Sequence, residues 1–355
     1  METKEIIRTR GGAFLLQETY AENVFTPEDF SEEQQMMRDA VKEFIDREVW
    51  PNKHRFEQKD YDFTFELMRK AGELGFLGVG VPEAYGGLEM GFVSTMLVCD
   101  YFSGATGSLS TAYGAHTGIG IMPIVLYGTE EQKQKYVPKL ASGEEIGCYC
   151  LTEPGAGSDA NSGKTKAVLS EDGTHYKISG QKIWISNAGY ASVMIVFARI
   201  EDDKNITGFI VPYDPENGIS LGEEEHKLGI HASSTRQVFF SETKVPVENM
   251  LSERGNGFKI AMNALNVGRI KLAVACIDAQ RRTVTESIRY ANERIQFNTP
   301  ISQFGAIKQK IANMATNCYV GESGCYRAAK DIEDRIVIRT ESGINHQEAE
   351  LKGVE

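Results

Sequence analysis

Hydrophobic side chains recur at helical spacing along the first part of this chain. The polar segment Ser31–Gln34 has the residue types of a helix-capping box, and apolar residues then follow every three or four positions. These apolar residues are Met37, Val41, Phe44, Ile45 and Val49. Further helical segments are predicted at 64–77, 92–102, 116–128 and 129–143. The pattern indicates a mostly helical domain over residues 28–145.

The pattern changes at Ile146, where short β-rich runs begin to alternate with turns. The turn segments Glu171–Gly173 and Pro215–Gly218 are typical of hairpins. Candidate strands include 167–169, 176–178, 193–198, 209–211 and 238–240. We interpret residues 146–245 as a compact β domain.

Helical spacing returns from Gly257 to the end of the chain. One apolar stripe is predicted, and further helices are expected at 278–294 and 303–332. The stripe consists of Phe258, Ala261, Met262, Leu265 and Leu272. With an irregular arm over residues 1–27, this gives an α+β chain whose second helical domain covers residues 246–355.

Composition narrows the possible functions. The chain has 355 residues, 41% of them hydrophobic and 25% charged, which is ordinary for a globular protein. A net charge of −12 argues against non-specific nucleic-acid binding, which needs a basic surface. No apolar run reaches about 18 residues, so no membrane span is expected. The start of the chain lacks the features of a signal or transit peptide.

The six cysteines form no C-x-x-C pair, and Cys148 and Cys150 would point to the same side of a strand. Together with the absence of a signal peptide, this predicts reduced thiols and a cytoplasmic location. The histidines show no metal-ligand spacing, so no metal is proposed. The serines lack a G-x-S-x-G context, which argues against a serine hydrolase.

The segment Cys150–Asp159 holds the most informative chemistry. It reads Cys-Leu-Thr-Glu-Pro-Gly-Ala-Gly-Ser-Asp and follows the apolar run Ile146–Tyr149. The glycines let such a loop bring backbone and hydroxyl donors close to a flat ligand with many acceptors. A second candidate, Trp184–Asn187, places an aromatic ring and a hydroxyl at another strand end. Each segment alone is also compatible with a tight turn or a core tryptophan, but together they indicate a ring cofactor.

Both segments resemble the acyl-CoA dehydrogenase family, and Cys150–Asp159 fits its first sequence signature closely. The resemblance implies a helical domain, a middle β-barrel-like domain and a second helical domain, incomplete here. It also implies FAD as cofactor, with Thr152 and Ser186 near the flavin edge and Trp184 stacked on the ring. The implied flavin contacts are Tyr149, Cys150, Leu151, Thr152, Gly157, Ser158, Trp184, Ile185 and Ser186.

A substrate site is implied on the predicted helix after Gly257. Asn266 and Arg269 lie three positions apart and share a helix face. By resemblance, Ser158 and these two residues contact the pantetheine and nucleotide portions of an acyl-CoA. Without the resemblance, Arg269 would be interpreted as an ordinary surface cation.

The segment Arg294–Ile301 carries a third implied contact. By resemblance, Arg294, Gln296 and Phe304 contact the FAD of a neighbouring subunit, which implies a homodimer or homotetramer with shared cofactor sites. The family usually has Gly after the phenylalanine of this segment, whereas this chain has Asn298, which also tolerates a left-handed turn.

The proton-abstracting base is not identified in this chain. In most members of the family it is a glutamate in a C-terminal segment, which we expect beyond Glu355. In a minority it lies on the substrate helix, but the matching position falls at or next to Gly268. We therefore expect a shortened dehydrogenase with little activity of its own, the alternative being a natural short protein without catalysis.

The resemblance implies α,β-dehydrogenation of fatty acyl-CoA to trans-2-enoyl-CoA in β-oxidation, with electrons passing to an electron-transferring flavoprotein. Ala115–Asp159 and Gly257–Arg269 look most like the long- and very-long-chain branch. Small residues at 115–120 would leave room for a long acyl tail, or would simply let helices pack closely. An acyl-CoA oxidase and a non-catalytic assembly protein with the same fold are the alternatives.

Overall fold

A computed structural model describes residues 24–353 together with Leu16 and Tyr20, so most of the predicted arm lies outside the described residues. The part up to Ala141 is helical, as predicted, and includes two π-helical turns at Ile45–Val49 and Ala115–Gly120. Its α-helices are α1 (Glu32–Phe44), α2 (Lys53–Glu57), α3 (Tyr61–Glu73), α4 (Gly91–Ser103), α5 (Gly107–Gly114), α6 (Met122–Tyr127) and α7 (Glu130–Ala141).

The predicted capping box at Ser31–Gln34 is confirmed, and a second box precedes α7. The Ser31 hydroxyl accepts from the amide of Gln34 at 3.2 Å, and the Gln34 side chain accepts from the amide of Ser31 at 3.0 Å. Thr129 and Gln132 make the same reciprocal pair at 3.3 and 3.0 Å before α7. These bonds satisfy amides that have no partner within the helix and so fix where each helix begins.

The middle of the chain forms an eight-stranded mixed sheet in the order β6-β7-β3-β2-β4-β5-β8, with β1 beside β4. The pairings of β1 and β2 with β4 are parallel, and the others are antiparallel. The strands are β1 (Gly147–Cys150), β2 (Lys166–Leu169), β3 (His175–Ser186), β4 (Val193–Ile200), β5 (Thr207–Pro212), β6 (Ile219–Leu221), β7 (Thr235–Pro246) and β8 (Met250–Leu251).

Two details of the predicted β domain are wrong. Among the described strands the sheet is not a closed barrel, because β6 and β8 end the pairing path without pairing to each other. The segment Pro215–Gly218 does turn, with Gly218 in the left-handed region, but it does not join a hairpin. Strand β5 before it pairs with β4 and β8, whereas β6 after it pairs with β7. The turn at Glu171–Gly173 does join the antiparallel neighbours β2 and β3.

The C-terminal part is helical apart from one short hairpin. Helix α10 runs from Gly305 to Glu341 and is longer than predicted. The elements are α8 (Gly257–Val274), α9 (Ile277–Glu293), β9 (Ile295–Gln296), β10 (Thr299–Pro300), α10 and α11 (His346–Gly353). Short 3-10 turns lie at Pro27–Asp29, Trp50–Asn52, Glu83–Tyr85, Ala160–Ser162, Pro215–Asn217, Val247–Asn249 and Ile301–Gln303.

Strand β4 joins the helical and β parts because both of its faces are buried. Val193, Ile195 and Phe197 pack into an apolar core shared with α6, α7 and α8. The alternate residues of β4 pack into the core of the sheet, with Cys148 and Cys150 among their neighbours. A strand buried on both faces has a continuous apolar sequence, as this one does. This packing places α8 beside the ends of β1 and β3.

The stretch Gly257–Glu293 is long and apolar enough, by length and composition, to cross a membrane, and an 18-residue window within it has a mean hydropathy of 1.4. It is not one helix, since α8 ends at Val274 and α9 begins at Ile277. Core helices of soluble proteins meet the same criterion, and α8 buries Ile260, Ala264 and Val274 against the rest of the protein.

Candidate functional site

A cleft of about 380 Å³ opens where the ends of β1 and β3 face helix α8. Four chain segments that are far apart in sequence supply its walls. The lining residues are Ile119, Tyr149, Leu151, Thr152, Gly157, Ser158, Ala160, Trp184, Ile185, Ser186, Met262, Leu265 and Arg269. The structure therefore brings together most of the predicted flavin contacts and two of the three predicted substrate contacts, Ser158 and Arg269.

Strand β1 contributes through the alternation of its side chains. Tyr149 and Leu151 point to the cleft side, and the Tyr149 hydroxyl donates to the Ala261 carbonyl of α8 at 3.3 Å. Cys148 and Cys150 point into the core of the sheet, where their sulfur atoms lie 3.9 Å apart as free thiols. The predicted placement of the two cysteines on one side is confirmed. The side chain of Cys150 consequently does not line the cleft.

Trp184 owes its position to an irregularity in β3. The pairing with β7 shifts register between Lys182 and Ile185, and the backbone of Trp184 takes a φ of 59°. A left-handed conformation is uncommon for an aromatic residue and costs on the order of 1 kcal/mol or more. The bulge leaves the indole ring 59% exposed beside the cleft, which excludes the interpretation as a core tryptophan.

The turn after β3 is held by a buried asparagine that the sequence did not single out. The Asn187 amide donates to the Ser234 carbonyl at 2.9 Å, and its side chain donates to the Ala112 carbonyl of α5 at 2.9 Å. Asn187 itself has a φ of 67°, which asparagine tolerates better than most residues. These bonds fix the point where Ser186 leaves the sheet.

A second group missed by sequence reasoning lies directly behind the loop. Glu153 and Lys182 form a buried ion pair, with the ammonium 2.7 Å from the carboxylate. Burial acts to raise the pKa of Glu153, but the charge and hydrogen bond of Lys182 and bonds from Thr165 and Lys164 outweigh it, and the pKa lies below its ordinary value. Burial lowers the pKa of Lys182, and the carboxylate opposes that shift. Glu153 is therefore ionised at neutral pH.

Helix α8 forms the opposite wall through Met262, Leu265 and Arg269. The Arg269 guanidinium donates to the Asn266 side chain, so the predicted sharing of one face is confirmed. The predicted apolar stripe does not coincide with the buried face of the helix, because Phe258 is exposed and Leu272 is 70% exposed. The face that packs inward consists of Ile260, Ala261, Ala264, Val267, Lys271 and Val274.

Some predicted residues lie elsewhere. Asn266 contacts the cleft only through Arg269. Arg294 and Gln296 are exposed near the hairpin after α9, and half-buried Phe304 packs edge-on against Phe297. Asn298 has a φ of 59°, so the expected left-handed turn is confirmed.

The small residues at 115–120 mainly allow close packing. A Cβ atom on Gly120 would lie 3.0 Å from the backbone of Gly147, and one on Gly118 would be in ordinary contact with the side chain of Lys271 at 3.7 Å. These positions therefore favour the packing interpretation over an open acyl tunnel.

The cleft fits the flavin that the resemblance implies. It offers an exposed indole ring, the hydroxyls of Thr152, Ser158 and Ser186, and open backbone at Gly157, where an added Cβ would meet nothing within 4 Å. A flat ring system with acceptors along one edge can stack and accept hydrogen bonds there. Among the described residues that line the cleft, none is an aspartate, glutamate or histidine. This lining can bind and orient a ring, but it holds no side chain suited to remove a carbon-bound proton.

Comparisons with known proteins agree with this geometry. Models of the N-terminal, middle and C-terminal domains of acyl-CoA dehydrogenase match residues 31–144, 148–243 and 255–343. A probable acyl-CoA dehydrogenase of Bacillus subtilis is 47% identical over 92% of this chain and 54% of its own length. An acyl-CoA dehydrogenase of the same organism is 38% identical over 86% of this chain and 80% of its own length.

The fold has a close experimental counterpart. The crystal structure of an acyl-CoA dehydrogenase complexed with FAD from Bacillus anthracis matches with a TM-score of 0.92 and 45% identity. It covers 97% of this chain, which in turn covers 60% of that protein. The chain thus spans little more than half the length of the first of these relatives. The predicted α+β fold is confirmed, and the chain belongs to the acyl-CoA dehydrogenase family.

Proposed function

We propose that this chain forms the flavin- and thioester-binding part of an FAD-dependent dehydrogenase that converts fatty acyl-CoA to trans-2-enoyl-CoA. The observation that carries the proposal is the convergence of Trp184, Thr152, Ser158 and Ser186 on one cleft whose other wall presents Arg269. A similar protein from Bacillus anthracis is complexed with FAD, which supports the same cofactor here.

Each residue has a role that its position supports. Trp184 would stack on the flavin ring, while Thr152 and Ser186 would donate to its edge. Arg269, held by Asn266, would attract the phosphates of coenzyme A, and Ser158 would bind the pantetheine arm near the mouth of the cleft. The bound flavin would take up the β-hydrogen of the acyl group as a hydride. The chain's own residues orient the thioester and exclude water around it.

The residues that line the cleft also affect the turnover that we expect from this chain. No carboxylate is present among the described residues around the cleft, so α-proton removal lacks a suitably placed base. We therefore expect the 355-residue chain to turn over acyl-CoA far more slowly than is usual for the family. The same observation favours one second candidate, a non-catalytic assembly protein that keeps the fold.

The hairpin after α9 supports a homodimer or homotetramer. Phe297 at its tip is 90% exposed, and Ile295 and Tyr290 beside it are also exposed. Such a projecting apolar group is typical of a protein interface. Arg294, Gln296 and Phe304 would then contact the FAD of a neighbouring subunit, because the cleft of their own subunit does not include them.

The remaining assignments are part of the same proposal. Electrons would leave through an electron-transferring flavoprotein, the location would be cytoplasmic, and the substrate would be a fatty acyl-CoA of β-oxidation. The domain boundaries at residues 27, 145 and 245 stay predictions from the sequence pattern.

Reconstitution with FAD tests the proposal. We expect the purified chain to bind FAD with a shifted visible flavin spectrum, and Trp184→Ala to weaken binding while Trp50→Phe leaves it unchanged. Turnover of octanoyl-CoA and palmitoyl-CoA with an artificial electron acceptor should be close to background. A folded chain that binds no FAD would contradict the cofactor assignment, whereas turnover at ordinary rates would contradict the missing base.

A further inference from the structure

One carboxylate joins the two ends of the loop that supplies Thr152, Gly157 and Ser158. We call this junction, formed by Glu153, Lys164 and Thr165, the neck of the loop. Glu153 is only 6% exposed. Its carboxylate accepts from the amides of Lys164 at 2.5 Å and Thr165 at 3.1 Å, which are the residues where the loop returns to the sheet. Residues 153–165 therefore form a ring whose two ends are joined by a side chain.

The same carboxylate is bound to the strand that carries Trp184. The ammonium of Lys182, a residue 1% exposed, lies 2.7 Å from Glu153 and donates to the Leu151 carbonyl at 3.1 Å. The amide of Ile183 donates to the Thr152 carbonyl at 2.9 Å. Leu151, Thr152 and Glu153 are thus all attached to β3, just before the bulge at Trp184.

We propose that Glu153 and Lys182 are positioning residues that fix the hydroxyl donors of the loop relative to the indole ring of Trp184. The inference rests on the proposed function for the identity of the ring that is bound. Neither residue lines the cleft, so both act through Thr152, Ser158 and Trp184.

The location of the pair argues for this role over stability alone. A buried ion pair is weak evidence for stability, because apolar residues of similar volume often serve as well. This pair lies between the two segments that form one wall of the cleft, and all its partners belong to those segments. A fixed arrangement of donors is what a ring-binding site needs.

Gly163 offers a way to disturb the neck without removing a charge. A Cβ atom at this position would lie 2.9 Å from a carboxylate oxygen of Glu153, closer than real Cβ atoms approach. Its φ is −51°, so alanine is acceptable to the backbone there. Gly229, in the exposed segment between β6 and β7, has open space around it and does not line the cleft, so Gly229→Ala is the control.

The experiment compares Glu153→Ala, Lys182→Met, Gly163→Ala and Gly229→Ala in the full chain. FAD affinity and the visible flavin spectrum are measured by titration, and amide hydrogen exchange is measured without FAD. We expect FAD binding to weaken about tenfold or more in the first three variants, with a shifted spectrum, because small displacements of binding groups are costly. Amides 164, 165 and 183 should exchange faster in these variants, and Gly229→Ala should behave like the unmodified chain.

Two results would overturn the proposal. One is unchanged FAD affinity and spectrum in folded Glu153→Ala and Gly163→Ala. The other is unchanged exchange of the three amides in both variants, which would show that the neck does not hold the loop. If the unmodified chain bound no FAD, the proposed function would fail, and the exchange measurement alone would decide whether the pair positions the loop.

Discussion

The two walls of the cleft are built in different ways. The wall from β1 and β3 is braced from behind by buried polar groups, namely the Glu153–Lys182 pair and Asn187. The wall from α8 depends more on apolar packing of the opposite helix face. Its buried polar contacts include the Lys271 ammonium, which donates to the Thr117 hydroxyl at 3.2 Å, and the Ala261 carbonyl, which accepts from the Tyr149 hydroxyl. Buried polar groups specify geometry because an unmade hydrogen bond is costly, whereas apolar packing mainly supplies stability. The β wall, with more buried polar groups behind it, is therefore suited to orient a ring, whereas the helical wall owes more of its position to apolar packing.

The largest expected effect comes from breaking the pair behind the β wall. Lys182→Met leaves the carboxylate of Glu153 buried without its counter-charge, which costs about 3–5 kcal/mol of stability. The free energy of unfolding, measured with urea and circular dichroism, should fall by that amount. Lys166→Met is the control because Lys166 pairs with Asp202 at the surface, 3.4 Å away. Exposed pairs contribute about 0–1 kcal/mol. Equal losses in the two variants would show that Lys182 is not effectively buried.

The helical wall predicts a contrast between its two faces. Ile260→Ala removes a fully buried side chain and should cost about 2–5 kcal/mol, because a cavity remains in the core. Leu272→Ala removes an exposed side chain and should change stability by no more than about 0.5 kcal/mol. Urea unfolding of both variants tests this, and a large loss at Leu272 would mean that its face is covered in solution.

The two walls also differ in how far the sequence predicted them. The β wall was found because the glycines and hydroxyls of Cys150–Asp159 are adjacent along the chain. The phase of α8 was missed because apolar residues occur on all sides of this helix, so spacing alone cannot select the inner face. The Glu153–Lys182 pair joins residues that are 29 positions apart, and one feature of the sequence indicates it. Lys182 has the same strand parity as the inward-facing Tyr176 and Ile178, which indicates a buried lysine with a partner.

A pH-dependent effect is expected where the helical domain meets the base of the β wall. His116 is buried, its Nε2 lies 2.9 Å from the Leu140 carbonyl, and its Nδ1 accepts from the amide of Gly147 at 3.0 Å. Burial lowers the pKa of His116 from 6.5 to about 4. The hydrogen bond that the ring makes to the Leu140 carbonyl opposes this shift, and the positive charge of Lys271 adds to it. Protonation would remove the acceptor for Gly147, at the start of β1.

Stability should fall as the pH falls, because the pKa of His116 is lowered in the folded chain. The unfolded chain binds the proton more tightly, so stability from neutral His116 is complete above pH 6.5 and is lost as the pH falls toward 4. Between these limits the loss should reach about 2–3 kcal/mol. Burial raises the pKa of Asp100 to about 6, which acts in the opposite direction in the same range. The measurement is therefore the difference in unfolding free energy between the unmodified chain and His116→Gln at pH 7 and pH 4.5. An equal pH slope in both would exclude His116 as the source.

The smallest expected effect on stability comes from Arg269 on the helical wall, whose substitution should weaken ligand binding and leave the fold intact. Arg269 is exposed, and its guanidinium donates to the side chain of Asn266, so Arg269→Ala should leave the free energy of unfolding within about 0.5 kcal/mol. Loss of a charge-assisted contact to phosphate should nevertheless weaken binding of octanoyl-CoA to the FAD-loaded chain by about tenfold. Arg289→Ala is the control, because Arg289 is exposed on α9 and pairs with Glu286 and Glu293 away from the cleft. Calorimetry that gave one dissociation constant for both variants and the unmodified chain would remove Arg269 from the site. A loss shared by Arg289→Ala would instead indicate general attraction of the anionic ligand, since only a specific contact distinguishes two exposed arginines.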